Sequence, residues 1–378
     1  MLCLTGPLMQ TFLGTIVTEK MIYIQATAFQ IINVASTILM AHYADRGSLF
    51  RRMALAELPI GILFFLYLPL CFSVLPMGTA FGLALALSGI QAFFTALYTV
   101  CAYKLPYQIV HPDEYGRMIA VSGVVYSLFS LGVGALVSFV SARFPYESVM
   151  RAAFPLAGLF VLISVVITLS MRRITDIPAA ERETPAKISV LKLFRMPEFY
   201  RLAPANLLRG FATGVVTVLA TVALARGFDE TVTSAMVSVQ SAVTIAASAL
   251  FGLFAKKVHS RVLTFAGSLL FLAMPLMLLP SSIVFLCAYG LVFFGKIVVD
   301  SAVPTALLSV VPEEASGPYH AWRMILHNGG SVIATSVAVF LPVPALLILS
   351  AALQLVSGFS YLIFRKKEKS PVTNGTDE

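Results

Sequence analysis

Within a strongly apolar stretch, FFGKIVVDSAVP sets Lys296 and Asp300 four residues apart, one turn of a helix, so that the two can pair. Ionisable groups are expensive in such surroundings and call for a reason. Asp300 can carry a proton, and Lys296 can attract a carboxylate, a phosphate or another anionic group. The plainer reading is a self-neutralising pair that only packs, although an apolar face would pack at lower cost. Asn206 and Arg209 are also one turn apart in an apolar run. Arg209 either turns inward, deep enough to meet Asp300, or snorkels to the headgroups. Gln91, Tyr98, Tyr103, Thr5 and Gln10 can hydrogen-bond a solute or join helices to one another. His327-Asn328 can support protonation or form part of a satisfied interior. A second set lies between apolar runs: Asp45, Arg46, Arg51 and Arg52 in AHYADRGSLFRR, and Gly252 and Lys256 in GLFAKKVHSR.

Catalytic and metal-binding patterns are missing. Glu313-Glu314, His320, Arg323 and His327 are superficially similar to an intramembrane protease helix, but Arg323 comes nine residues after Glu314 and Pro318 interrupts the helix that would join them. No HExxH, GxSxG or phosphate-binding glycine loop occurs. Cys3, Cys71, Cys101 and Cys287 lie in apolar runs without CxxC spacing, which suggests neither zinc nor a disulfide framework. The expectation is a protein that is not an enzyme and holds no metal or cofactor.

The elements that must position these residues are membrane spans. The chain has 378 residues, 58% hydrophobic and only 12% charged, with a mean hydropathy of +0.90. A soluble domain has roughly 25% charged residues. Apolar runs near 3–18, 21–43, 53–74, 77–101, 119–142, 148–171, 203–225, 232–255, 262–280, 282–308, 324–341 and 344–364 make twelve candidate spans. Each must be helical, because lipid offers backbone groups no partners. The first is short: either a tilted or shortened helix, or the remainder of a helix that begins upstream of Met1.

Lysines and arginines crowd alternate loops, among them Arg51, Arg52, Lys104, Arg117, Arg172, Arg173, Lys256 and Arg365. The opposite loops hold only Lys20, Arg143, Arg151 and Arg226. This bias sets both termini in the cytoplasm, and it explains the net charge of +8 without nucleic acid as a partner. Residues 172–200 break the rhythm with a polar, proline-bearing linker that turns amphipathic from Ser189, as a helix lying on the membrane surface would. The linker separates halves 1–171 and 201–366, and 367–378 form a polar tail. The halves echo each other. Phe93-Phe94 and Phe293-Phe294 stand equally far before Pro112-Asp113-Glu114 and Pro312-Glu313-Glu314, the pattern of an internal duplication.

Two six-span halves, a central linker and the Asp45-Arg46 loop with its Arg51-Arg52 pair resemble the major facilitator superfamily over nearly the whole chain. The loop departs from the family pattern: Ala41 replaces its first glycine, Gly47 comes one place early and Arg51-Arg52 two places late. In the second half the glycine returns as Gly252, with Lys256 at the acidic place. The resemblance implies an all-α polytopic fold of two six-helix bundles, with spans one, four, seven and ten lining a central cavity. On that basis Lys296, Asp300, Arg209, Asn206, Gln91, Tyr98 and Gln10 are the substrate and coupling candidates. Asp45, Arg46, Arg51, Arg52, Gly252 and Lys256 are the candidates for a conformational latch. Gln25, Gln30, Asn33 and Gln240 fall on spans that pack between the halves. Gly132-Val133-Gly134 lacks the proline that antiporter-type members carry, which argues against a drug/proton antiporter.

The expected function is secondary active transport of a small solute by alternating access. Lys296 and Arg209 favour an organic anion as solute, and Asp300 favours protons as the coupling ion. A transport-inactive membrane sensor on the same fold is the alternative. The expected setting is a monomer in the lipid bilayer of a bacterial plasma membrane.

Overall fold

A computed structural model describes residues 7–43, 48–72, 75–109, 115–141, 143–175, 197–254, 258–308 and 316–363, and among them helix dominates and no strand occurs. The segments in order are α1 (Pro7–Gly14), α2 (Glu19–Tyr43), α3 (Leu49–Leu66), α4 (Met77–Ile109), α5 (Tyr115–Ser141) and α6 (Tyr146–Thr175). They continue with α7a (Pro197–Thr217), α7b (Leu219–Ala225), α8 (Glu230–Phe254), α9 (Ser260–Leu269), α10 (Ser282–Leu308), α11 (Ser316–Ala338) and α12 (Val343–Ile363). Short 3₁₀ turns, Leu68–Cys71 and Leu270–Leu278, extend α3 and α9. Prolines at these turns, Pro69 and Pro275, have no N–H to donate to a continuing α-helix. Gly227, with φ 79°, takes the left-handed turn between α7b and α8 that a side chain would oppose.

Eight of the described segments are long and apolar enough to cross a membrane, and the bent α7a–α7b pair makes a ninth. The protein is therefore an integral membrane protein. Of the three remaining expected spans, α11 falls short because it carries Arg323, His327 and Asn328 in its middle, while α1 is described only over Pro7–Gly14 and α5 counts as an apolar helix only over Ser127–Ser141. The outer surface is that of a membrane protein: Phe129, Phe160, Val166, Ile283 and Phe340 all face outward.

Helix neighbours recur six segments on. The pairings α2–α4, α3–α4, α3–α6 and α1–α6 have counterparts in α8–α10, α9–α10, α9–α12 and α7a–α12. Across these two sets, α2 packs on α11 and α5 on α8. Two apolar interiors result, one mainly from each set, with Tyr23 of α2 joining the second and Val237 of α8 the first. One holds Phe12, Ile60, Phe64, Tyr67, Met150 and Phe154, the other Val215, Phe271, Met274, Phe285, Tyr289 and Leu347.

The order of segments gives the bundle two ends. One receives the connection between α6 and α7a and is called the linker end here; the other holds the α1–α2 and α7b–α8 turns and is called the distal end.

Candidate functional site

Asp300 stands at the centre of a charged cluster built by three helices. On α10 the Lys296 ammonium donates to Asp300 Oδ2 at 2.8 Å and lies 5.4 Å from the centre of the Phe293 ring. From α7a, Arg209 Nη2 approaches Asp300 Oδ1 at 3.3 Å. Arg209 turns inward and does not snorkel, for its side chain is 5% exposed, against 32% for Asp300. The third helix, α11, is brought in by glycine. A methyl group on Gly210 would run into the His327 carbonyl, and one on Gly330 into the Leu207 carbonyl, so α7a and α11 meet backbone to backbone. Ser331 Oγ seals the contact by donating to the Gly210 carbonyl at 2.9 Å. This seats His327 beside Arg209, close enough to Asp300 to interact with its charge.

Two cations share one carboxylate, so the cluster carries formal positive charge in excess. Arg209 Nε and Nη1 and His327 Nδ1 are buried with no hydrogen-bond partner among the described residues. Unused Arg209 donors in a water-poor setting beside surplus positive charge suit an anionic guest.

The other expected site residues are mostly occupied with joining helices. Asn206 Nδ2 donates to the Leu202 carbonyl at 3.0 Å, and its Oδ1 accepts from Tyr361 Oη at 2.8 Å, fastening α7a to α12. Gln91 accepts from Tyr67 Oη at 3.2 Å. Tyr98 is half-buried against the cluster of Leu49, Met53 and Leu97. Gln10 crosses between the two sets: its amide donates to the Thr217 carbonyl and accepts from Thr221 Oγ1 at 3.3 Å. That carbonyl lies at the 49° bend between α7a and α7b, where the helical ladder is interrupted. Asn328 Nδ2 donates to Asn33 Oδ1 at 3.2 Å, and Asn33 Nδ2 to the Ala92 carbonyl at 3.4 Å, tying α11, α2 and α4 together. Gln240 accepts from Tyr289 Oη at 2.9 Å, within one set of helices. Gln25 and Gln30 are half-buried on α2.

Of the latch candidates, Arg51 is exposed and Arg52 buried at the start of α3, while Gly252 is exposed on α8. Asp45, Arg46, Lys256, Thr5 and the amphipathic part of the linker lie outside the described residues, as does the Tyr103 side chain.

One polar group escaped the sequence reading. Glu57 on α3 is 5% exposed and accepts hydrogen bonds from Ser164 Oγ and Thr168 Oγ1 of α6, each at 3.1 Å. Its signal was available: a lone acidic residue in the apolar run of MALAELPIGILFF, matched by two hydroxyls one turn apart in a later run.

A family profile described as Major Facilitator Superfamily matches residues 3–335. No curated protein matches the chain. Solved structures do. The human organic anion transporter MFSD10 (TETRAN) is similar at a TM-score of 0.65 and 17% identity, over 90% of this chain and 83% of that one. A D-xylose–proton symporter is similar at a TM-score of 0.70 and 11% identity, over 96% of this chain and 93% of that one.

Proposed function

The chain belongs to the major facilitator superfamily, and as such is a secondary transporter of a small solute; we propose that its solute is an organic anion moved together with protons. The observation that carries this reading is the Arg209–Asp300–Lys296 cluster, in which two cations answer to one carboxylate. An arriving carboxylate or phosphate competes with Asp300 for the two cations. A proton on Asp300 removes that competition, so proton and anion favour each other's binding by the same factor. Of the two solved neighbours, one is an organic anion transporter and the other a proton symporter, which accords with this reading while establishing only a shared fold.

Alternating access then moves residues 1–171 against 201–366 about the α2–α11 and α5–α8 seams, with 172–200 as the cytoplasmic linker and both termini on that side. Asp45 and Arg46, with Arg51, Arg52, Gly252 and Lys256, form the latch at the linker end. The basic residues of the loops at that end support the orientation.

The test is uptake into liposomes of a panel of labelled organic anions, sugars, amino acids and cationic drugs, by the wild type and Arg209→Gln. Saturable uptake of an anion that Arg209→Gln abolishes is expected. Uptake confined to neutral or cationic compounds would remove the anion assignment.

A further inference from the structure

The seam between α3 and α6 holds a titratable group that the transport reading leaves unused. Glu57 lies about 12 Å along α3 from Leu49, eight residues on at 1.5 Å each, well inside the apolar part of the bundle. Its carboxyl is gripped at both oxygens, Oε1 by Ser164 and Oε2 by Thr168. Hydroxyls in apolar helices ordinarily satisfy themselves on the carbonyl one turn back. Thr37 does so with Asn33, Thr244 with Gln240 and Ser360 with Val356. Ser164 and Thr168 turn away from their own helix instead, and both reach the same carboxyl.

The choice of partners is the informative part. Asp300 has Lys296 and Arg209 as its partners, whereas among the described residues no lysine or arginine lies within salt-bridge distance of Glu57, whose partners are hydroxyls alone. A hydroxyl can donate or accept. With Glu57 ionised both hydroxyls donate to it; with Glu57 protonated, one can rotate to accept the acid proton and still donate to a carbonyl of α6. Both forms are hydrogen-bonded without any movement of backbone. A pair of aliphatic side chains would join α3 to α6 at lower cost than a carboxyl group.

The titratable or charged groups facing this point can be named. Helix α4 contributes Tyr98, within electrostatic reach of Glu57, and Cys101 in the same packing cluster. Helix α3 itself contributes Arg52, which lies near Cys101, between Glu57 and the linker end. Helix α6 contributes the two hydroxyls, with Val161 and Val165 buried alongside.

We propose that Glu57, Ser164 and Thr168 form a proton-binding site in the α3–α6 seam, separate from the α7a–α10 cluster. The ligand is a proton, taken up by the Glu57 carboxylate to give a neutral acid whose O–H donates to one of the two hydroxyls. The site stands independently of the anion reading, because no residue is shared between the two.

The test is infrared difference spectroscopy of the full-length protein in lipid, titrated between about pH 5 and about pH 9, a window wide enough to expose a perturbed carboxyl group. A carboxylic-acid carbonyl band that grows on acidification is expected. It should be absent from Glu57→Gln, persist in Asp300→Asn, and move to higher frequency in Thr168→Val and in Ser164→Ala, each of which removes one hydrogen bond. Identical difference spectra for the wild type and Glu57→Gln would overturn the proposal. So would a spectrum that answers to sodium at fixed pH in place of protons. Should Glu57→Gln not fold, the hydroxyl variants decide alone: a band unmoved in both overturns the site.

Discussion

At the scale of single residues, the decisive fact is that Asp300 is outnumbered. Lys296 reaches it along its own helix and Arg209 across from α7a, and only Asp300 keeps about a third of its side chain exposed. Replacing the guanidinium by a single ammonium removes the planar fork that can hold Asp300 and a guest together. Arg209→Lys is therefore expected to raise the concentration of anion needed for half-maximal uptake about tenfold, equivalent to about 1.4 kcal/mol. An unchanged value in well-expressed protein would show that the guest does not meet the guanidinium. The pairing of Lys296 with Asp300 was legible in the sequence because both lie on one helix at a spacing that puts them on one face. Arg209 was legible only as an alternative, since inward and snorkelling arginines have the same sequence. What the sequence could not supply was the employment of the amides. Asn206 and Gln91 read as solute contacts until their partners, Tyr361 and Tyr67, were placed beside them.

At the scale of helices, two contacts hold the site in shape. Helix α7a meets α11 through Gly210 and Gly330, where no side chain fits. Gly210→Ala should destabilise the protein by about 1–3 kcal/mol, the usual cost of overpacking a filled interior. Gly132→Ala on α5, where the added methyl group meets nothing, should leave stability unchanged. Thermal unfolding of both variants in lipid checks the contrast, and equal losses would contradict it. The second contact is Gln10 on the open carbonyl of Thr217 at the α7 bend. Gln10→Leu leaves that carbonyl without its partner, at about 1–3 kcal/mol. The distal end should then open more often, seen as faster labelling of a cysteine placed on α7b by a water-soluble maleimide. A labelling rate equal to that of the parent would count against Gln10 as a clasp. Neither contact could be read from the sequence. The partners of Gln10 lie more than 200 residues away, and glycine pairs in apolar runs are common whether or not they touch.

At the scale of the whole molecule, the architecture was the most legible part. Composition and hydropathy fix a helical membrane protein, and the echo of Phe93-Phe94 in Phe293-Phe294 has its structural counterpart in helix pairings that recur six segments on. The seams α2–α11 and α5–α8 join the two sets, and Asn33–Asn328 lies in the first of them. A machine of this form must couple what binds at its centre to which end is open, and the latch proposed at the linker end is one side of that coupling. Asp45→Asn is expected to lower transport while leaving the protein in the membrane, as surface labelling and uptake measured together would show; normal uptake would remove Asp45 from the latch. The other side is the coupling of proton to anion at Asp300. The most direct measurement of it is anion uptake into liposomes with and without an inward proton gradient, for the wild type and Asp300→Asn. The wild type should accumulate the anion above its outside concentration only when the gradient is imposed, and Asp300→Asn should equilibrate it with no response to the gradient. Gradient-driven accumulation that survives in Asp300→Asn would contradict proton coupling through this cluster.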